Sequence, residues 1–267
     1  MKRRVTVLAC LLSTVLLALT ATAPAAAAPR AADVDYVALG DSFSSGVGAP
    51  GQTGSCSRSP LAYPGLYAAA TDPATYRSAA CGGATTGTLR SSQLSALSTA
   101  TDLVSLTIGG NDVGFAPTVL TCTLSSDSGC TAAVDAALEL LDTQIPAALD
   151  ATYADIRARA PAATVVVLGY PLLFDETAPT CGLTNMSIPK RQALNRGARE
   201  LNAVIADRAT AAGFVWEDVT DEFAGHGICA RTPYLNGLVL LPPTNSFHPN
   251  AAGYRYGYLP ALRSATS

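Results

Sequence analysis

The chain has 267 residues, of which 49% are apolar and only 14% charged, with a formal net charge of −3. That apolar content is enough for one large domain with a core of its own. No basic patch is present to hold a phosphate backbone, which argues against nucleic acid as a partner.

The first segment reads as a targeting signal. Lys2-Arg3-Arg4 is a charged n-region, Val5 to Leu19 an apolar h-region, and Ala26-Ala27-Ala28 an A-x-A-like cleavage site. The apolar run is short for a membrane span, so secretion is expected rather than single-pass anchoring. Residues 1–28 are then a leader and 29–267 a single domain. Removing Lys2, Arg3 and Arg4 leaves 14 basic against 20 acidic residues, a charge of −6. Cys10 lies inside the leader with no small-residue lipobox around it. Six cysteines remain: Cys56, Cys81, Cys122, Cys130, Cys181 and Cys229. An even number in an exported chain reads as disulfides, with 15 pairings open to six cysteines. There is no C-x-x-C, and His226 and His248 are the only histidines. Zinc therefore has little support, and no metal or cofactor is expected.

In chain order, Val37 and Leu39 belong to a short apolar run that reads as a buried strand and stops at Gly40-Asp41-Ser42. A serine there is placed to expose its hydroxyl above a sheet; the plainer alternative makes Ser42 a helix N-cap. Gly46-Val47-Gly48-Ala49-Pro50-Gly51 is a literal G-x-G-x-x-G, yet Pro50 and the polar residues after it make a loop where a dinucleotide site needs a helix. Leu61 to Ala70 reads as a helix, and Thr75 to Ala80 as a second strand ending at Cys81-Gly82-Gly83. Asp102 to Ile108 is a buried third strand ending at Gly109-Gly110-Asn111-Asp112. A loop holding Cys122 and Cys130 leads into a helical region from Thr131 to Ala160, interrupted or kinked near Pro146. Ala163 to Leu168 is the clearest buried strand. Pro189 to Ala212 is a helix with proline at its start and Gly213 past its end. Phe214 to Val219 is a fifth strand, and Asn250 to Arg263 a closing helix.

Strands alternating with helices imply a parallel sheet covered on both faces. Sites in such sheets gather beyond the carboxyl ends of the strands. Ser42, Gly82-Gly83 and Asn111 each follow a successive strand, so three segments deliver small polar groups to one rim. Serine needs a base to become a nucleophile, and histidine has the right pKa. His248, in a loop before the last helix, can swing over the rim; His226 lies beside Cys229 and reads better as a loop residue. Asn111 can offer its amide, and Gly83 and Ser42 their N–H groups, to a developing oxyanion. A simple turn is the plainer account of Gly109 to Asp112.

Gly40-Asp41-Ser42, Gly83, Gly110-Asn111-Asp112 and His248 resemble, in order, the four blocks of the SGNH (GDSL) hydrolase superfamily. The six cysteines and the segments around Gly83 and His248 are similar to its secreted actinobacterial lipase and esterase branch. The resemblance implies a three-layer α/β/α fold with a five-stranded parallel sheet in flavodoxin-like order. It also implies hydrolysis of carboxylic esters through an acyl-serine, with Ser42 as nucleophile and His248 as base. Ser42, Gly83 and Asn111 would bind the oxyanion. The absence of G-x-S-x-G argues against the standard α/β-hydrolase elbow.

One position departs from the pattern. The superfamily commonly has Asp three residues before the histidine; here it is Asn245. Either the backbone carbonyl of Ser246 orients His248, or an acid comes from elsewhere. In the implied fold Cys56 and Cys81 follow neighbouring strands, Cys122 and Cys130 share a loop, and Cys181 and Cys229 follow the fourth and fifth strands. Pairing in sequence order is expected. The apolar segment Leu235 to Leu241 is either core filler or one wall of an acyl groove through Leu238 and Leu241, with Phe115, Val119 and Leu120 opposite. A lipid or small ester substrate fits such a groove, with at most transient contact with lipid surfaces by a monomeric enzyme. Lipase, phospholipase A and general esterase activities stay open. A carbohydrate acetylesterase would need aromatic platforms, and Trp216 reads as strand-buried; an inactive binding protein on the same scaffold is the reading from another class.

Overall fold

In the computed structural model, which describes residues 33–182 and 186–267, the strands are β1 (Asp35–Ala38), β2 (Thr75–Ser78), β3 (Leu103–Leu106), β4 (Thr164–Leu168) and β5 (Val215–Glu217). All pair in parallel, in the order β2-β1-β3-β4-β5, with Tyr36 opposite both Tyr76 and Leu103. This is the flavodoxin-like order, and its reversal lies between β1 and β3. Strand character follows position. β3 is buried throughout and β1 and β4 nearly so, while the edge strands β2 and β5 carry polar, partly exposed residues. The expected leader lies outside the described residues.

Helices cover both faces. They are α1 (Ser42–Ser45), α2 (Tyr63–Thr71), α3 (Thr86–Ser92), α4 (Phe115–Leu124), α5 (Asp127–Thr143), α6 (Ile145–Arg159), α7 (Ile188–Ala211) and α8 (Leu259–Ala265), the last continuing a π-helical turn over Gly253–Tyr258. Pro189 sits in the first turn of α7, where its missing N–H costs nothing, and Ser187 caps it by accepting Lys190 N–H.

Two local departures from the expectations stand out. Cys122 and Cys130 do not share a loop: Cys122 lies in α4 and Cys130 in α5. α4 has no side-chain cap, only Gly114 in the left-handed region, and its Pro117 falls in the first turn where proline is tolerated. The helical region after Cys130 is interrupted as expected near Pro146: it is two helices, broken at Gln144, with Pro146 in the first turn of α6. The short α3 was not expected. It is fixed by a capping box in which Thr85 and Thr88 each accept the other's backbone N–H, with threonine where Glu or Gln would give the usual signature. The cysteines join in sequence order: Cys56–Cys81, Cys122–Cys130 and Cys181–Cys229.

Candidate active site

β1 continues its ladder past its last residue, with Leu39 N–H on Ser105 O and Asp41 N–H on Thr107 O. Between them Gly40 has φ 116°, and a Cβ there would stand 2.4 Å from Thr107 O, so no other residue fits the turn. Gln93 holds the same peptide from both sides, accepting from Gly40 N–H at 2.8 Å and donating to Gly40 O at 2.9 Å. The chain then enters α1 with Asp41, not Ser42, as the N-cap: its Oδ1 accepts Phe43 N–H. Ser42 is therefore the first helical residue. Its own N–H belongs to the orphan donors at a helix start.

Asp41 is fully buried and accepts three bonds, from Phe43 N–H at 3.0 Å, Thr107 Oγ1 at 2.7 Å and Tyr170 OH at 2.5 Å. Burial pushes its carboxyl up to about 6, and the donors from Tyr170, Thr107 and Phe43 hold it from rising further. Tyr170 follows the carboxyl end of β4 and also accepts Gly110 N–H at 3.2 Å. One hydroxyl thus ties the α1 turn to the turn that carries Asn111. Asp112 fixes the third segment by accepting both the N–H and the hydroxyl of Thr86, at the start of α3. Asn111 donates one amide hydrogen to Ala84 O at 2.9 Å, leaving its second N–H for another acceptor. Gly83 N–H makes no hydrogen bond among the described residues.

His248 arrives from an irregular loop. Its Nε2 is 2.8 Å from Ser42 Oγ, and its Nδ1 is 2.9 Å from Ser246 O. A carbonyl only accepts, so Nδ1 carries the proton and Nε2 is left to accept the serine hydroxyl's. Burial pushes the imidazole down to about 4, opposed by the Ser246 carbonyl. It is therefore neutral, and a competent base, at ordinary pH. Asn245 turns away from this pair, its Oδ1 accepting from Gln52 Nε2 at 2.9 Å. His226 lies outside the site, bonded to Thr232 O and stacked on Tyr234. The G-x-G-x-x-G stretch serves as the bed of the histidine loop: a Cβ on Gly48 would meet Pro249 O at 2.4 Å and His248 Cβ at 3.0 Å.

An apolar cavity opens beside Ser42 and Asn111, walled by Phe43, Phe115, Val119, Leu138, Leu173 and Leu201. Three expected wall residues are not part of it. Leu120 lies one helical step from Val119, is 55% exposed, and faces solvent. Leu238 and Leu241 are 46% and 88% exposed, while Leu235 alone of that segment is fully buried. Ser246 Oγ accepts Val239 N–H and donates to Val239 O, pinning the backbone between these exposed leucines. The real second wall comes from α5 and α7, helices whose apolar faces gave no hint of a pocket between them. Asp41 and Asp112 stood inside the sequence blocks without a role. Tyr170 was missed altogether, although its place just beyond β4 is where a sheet of this kind puts site residues.

The profile of the GDSL-like Lipase/Acylhydrolase family matches residues 38–256. A lipase of Streptomyces rimosus is 46% identical over 269 residues, covering 100% of this chain and 99% of its own. The crystal structure of an extracellular lipase from Streptomyces rimosus superposes with a TM-score of 0.84 at 47% identity, covering 87% of this chain and 99% of that one. That of phospholipase A1 from Streptomyces albidoflavus gives 0.83 at 43% identity, with the same coverage.

Proposed function

Since the chain belongs to the GDSL-like lipase/acylhydrolase family and is a carboxylic ester hydrolase, we propose that it cleaves fatty acyl esters through an acyl-serine formed on Ser42. The observation that carries this reading is the 2.8 Å contact between Ser42 Oγ and His248 Nε2 at the mouth of an apolar cavity. His248 takes the Ser42 proton as Oγ attacks the ester carbonyl carbon. The oxyanion that forms accepts from Ser42 N–H, Gly83 N–H and the free amide hydrogen of Asn111. Collapse of the tetrahedral species breaks the bond to the alcohol oxygen, which leaves with the proton from His248. A water molecule, deprotonated by the same imidazole, then attacks the acyl carbon; the carboxylic acid departs and Ser42 recovers its proton. The Ser246 carbonyl holds the imidazole through both halves, in place of a carboxylate.

The cavity is where the acyl chain fits. Its walls are mostly aliphatic and phenyl surface, which stabilises a hydrocarbon by burial and offers few polar partners to a sugar ring. Trp216, the one indole, packs against Gly169 on β5, away from the cavity. The relatives named lipase and phospholipase A1 support acylglycerols and glycerophospholipids as the substrate class. We further read the protein as exported, from the leader-like residues 1–28 and the three disulfides.

A fluorophosphonate probe should label the purified protein at Ser42. Hydrolysis of p-nitrophenyl esters should rise from acetate to medium-length acyl chains. A best rate on acetate would overturn the fatty acyl assignment, and failure of Ser42 to label would overturn the acyl-enzyme.

A further inference from the structure

The leucines that do not line the cavity are left facing water. Leu240 and Leu241 are 79% and 88% exposed and Leu238 nearly half, an unusual cluster in a chain whose other apolar residues are mostly packed. They lie in a stretch, Thr232 to Tyr254, that contains no Asp, Glu, Lys or Arg, although it surrounds His248. We propose that the turn from Leu238 to Leu241 is a docking surface that inserts into the headgroup boundary of a neutral lipid layer and presents the active site to it.

Two features favour lipid over a protein partner, and the inference rests on the fatty acyl reading of the site. The turn is short and uncharged, so it can shed water into a lipid interface with no ionic group to desolvate. It lacks the Lys and Arg that would draw it to anionic headgroups, and the chain is acidic overall, so the layer it fits is zwitterionic. The turn is also mechanically joined to the chemistry. Ser246 Oγ accepts Val239 N–H at 2.9 Å and donates to Val239 O at 3.2 Å, while Ser246 O accepts His248 Nδ1–H. One residue therefore clamps the leucine turn and orients the base. A lipid ester reached by this route meets Ser42 close to the surface it leaves, which shortens the path its acyl chain travels through water.

The test uses the full mature chain with Leu240→Glu and Leu241→Glu together. Both side chains are exposed, so the fold should hold, checked by circular dichroism and thermal melting. In a Ser42→Ala background, sedimentation with sucrose-loaded phosphatidylcholine vesicles should pellet the parent and at least fivefold less of the Glu pair. In the active background the pair should keep its rate on dissolved p-nitrophenyl butyrate within about twofold and lose at least tenfold on phosphatidylcholine vesicles. Equal pelleting of the two proteins would overturn the proposal, as would equal losses on dissolved and vesicular ester or an unchanged vesicle rate. If no ester is hydrolysed by the parent, the reading of the site fails; the sedimentation arm needs no turnover and still decides the surface.

Discussion

Ser42 and His248 touch, yet they stand on opposite kinds of support. Ser42 is carried by the sheet. Its turn extends the β1–β3 ladder, is clamped by Gln93, and rests on the buried set of Asp41, Thr107 and Tyr170. Tyr254 reaches across from the closing helix to bond Val47 O and Ser42 O. His248 is carried by a loop whose regular structure is one 3₁₀ turn, Pro243–Asn245, and whose Phe247 sits at φ 63°, a left-handed conformation a bulky side chain rarely takes. That loop is kept by Asn236, which exchanges backbone bonds with Phe247 and His248 and donates its amide to Gly48 O. Ser42 is thus fixed by buried polar bonds of the sheet, while His248 is held by an irregular loop and by the Phe43 ring beside it. The difference teaches that the histidine loop can vary its exposed residues without disturbing the supports of Ser42, because those supports lie on the sheet and its neighbours.

The largest effect should erase the comparison. Ser42→Ala and His248→Ala should each lower kcat by on the order of 10⁴–10⁶, since groups acting as a unit lose nearly everything with either member. Single-turnover and steady-state assays on p-nitrophenyl butyrate would check it. A folded variant of either kind retaining a tenth of the parent rate would show that the two do not act together.

The middle effect separates the supports. Tyr170→Phe removes the donor to Asp41 and the acceptor of Gly110 N–H while leaving the ring packed on Phe43. The sign of its pH dependence follows from the carboxyl. A folded-state value raised from 3.8 to about 6 favours the fold below the ordinary carboxylate range, and that contribution is lost as pH rises through about 6. Without Tyr170 the ionised Asp41 has one donor fewer and its value climbs further. The variant should be less stable than the parent by roughly 1–3 kcal/mol at pH 8, and the gap should narrow toward pH 4. Urea titrations at both values measure it. His248 runs the other way: its lowered value makes stability full above 6.5 and lost as pH falls through about 4. A Tyr170→Phe gap that widened toward acid would place its effect on the histidine side.

The two supports also differ in how they could be read from sequence. The strands announced themselves through runs such as Val165-Val166-Val167, and the rim residues through small polar groups directly after each run. The order of the sheet and the serine and histidine followed from the four blocks together with that rim logic, as did the pairs Cys56–Cys81 and Cys181–Cys229, whereas Cys122–Cys130 was paired through a loop the two do not share. What stayed hidden lacks a local pattern. Tyr170 acts on a carboxylate 129 residues away, and Gln93 on a peptide 53 residues away; nothing in their neighbours marks them. α4 hid because glycine, not a capping side chain, precedes it. Leu238 and Leu241 misled for a different reason: an apolar run signals burial only on average, and here the backbone of Val239 is held by Ser246 Oγ while the leucines beside it stay exposed.

The smallest expected effect tests the histidine's support most sharply. Asn245 occupies the position where a carboxylate usually orients the base, which invites reading its amide as a weaker version of the same device. The geometry argues otherwise. Asn245 Oδ1 accepts from Gln52 Nε2, whose other bond goes to Ala49 O, so the amide links the histidine loop to the glycine bed below it. His248 Nδ1 already has its acceptor in Ser246 O, and a single N–H satisfied at 2.9 Å needs no second partner. Asn245→Ala should therefore keep kcat within about tenfold of the parent, with any loss in KM and thermal stability, whereas removal of a true orienting member costs on the order of 10⁴. Asn245→Asp sharpens the point. It would put a charge beside Gln52 while Nδ1 keeps the Ser246 carbonyl, so the acid limb of kcat/KM should stay near the value set by the buried imidazole, about 4. A shift of that limb toward neutral pH, or a thousandfold loss in the alanine variant with its structure intact, would make the Asn245 side chain the third member and the Ser246 carbonyl a bystander.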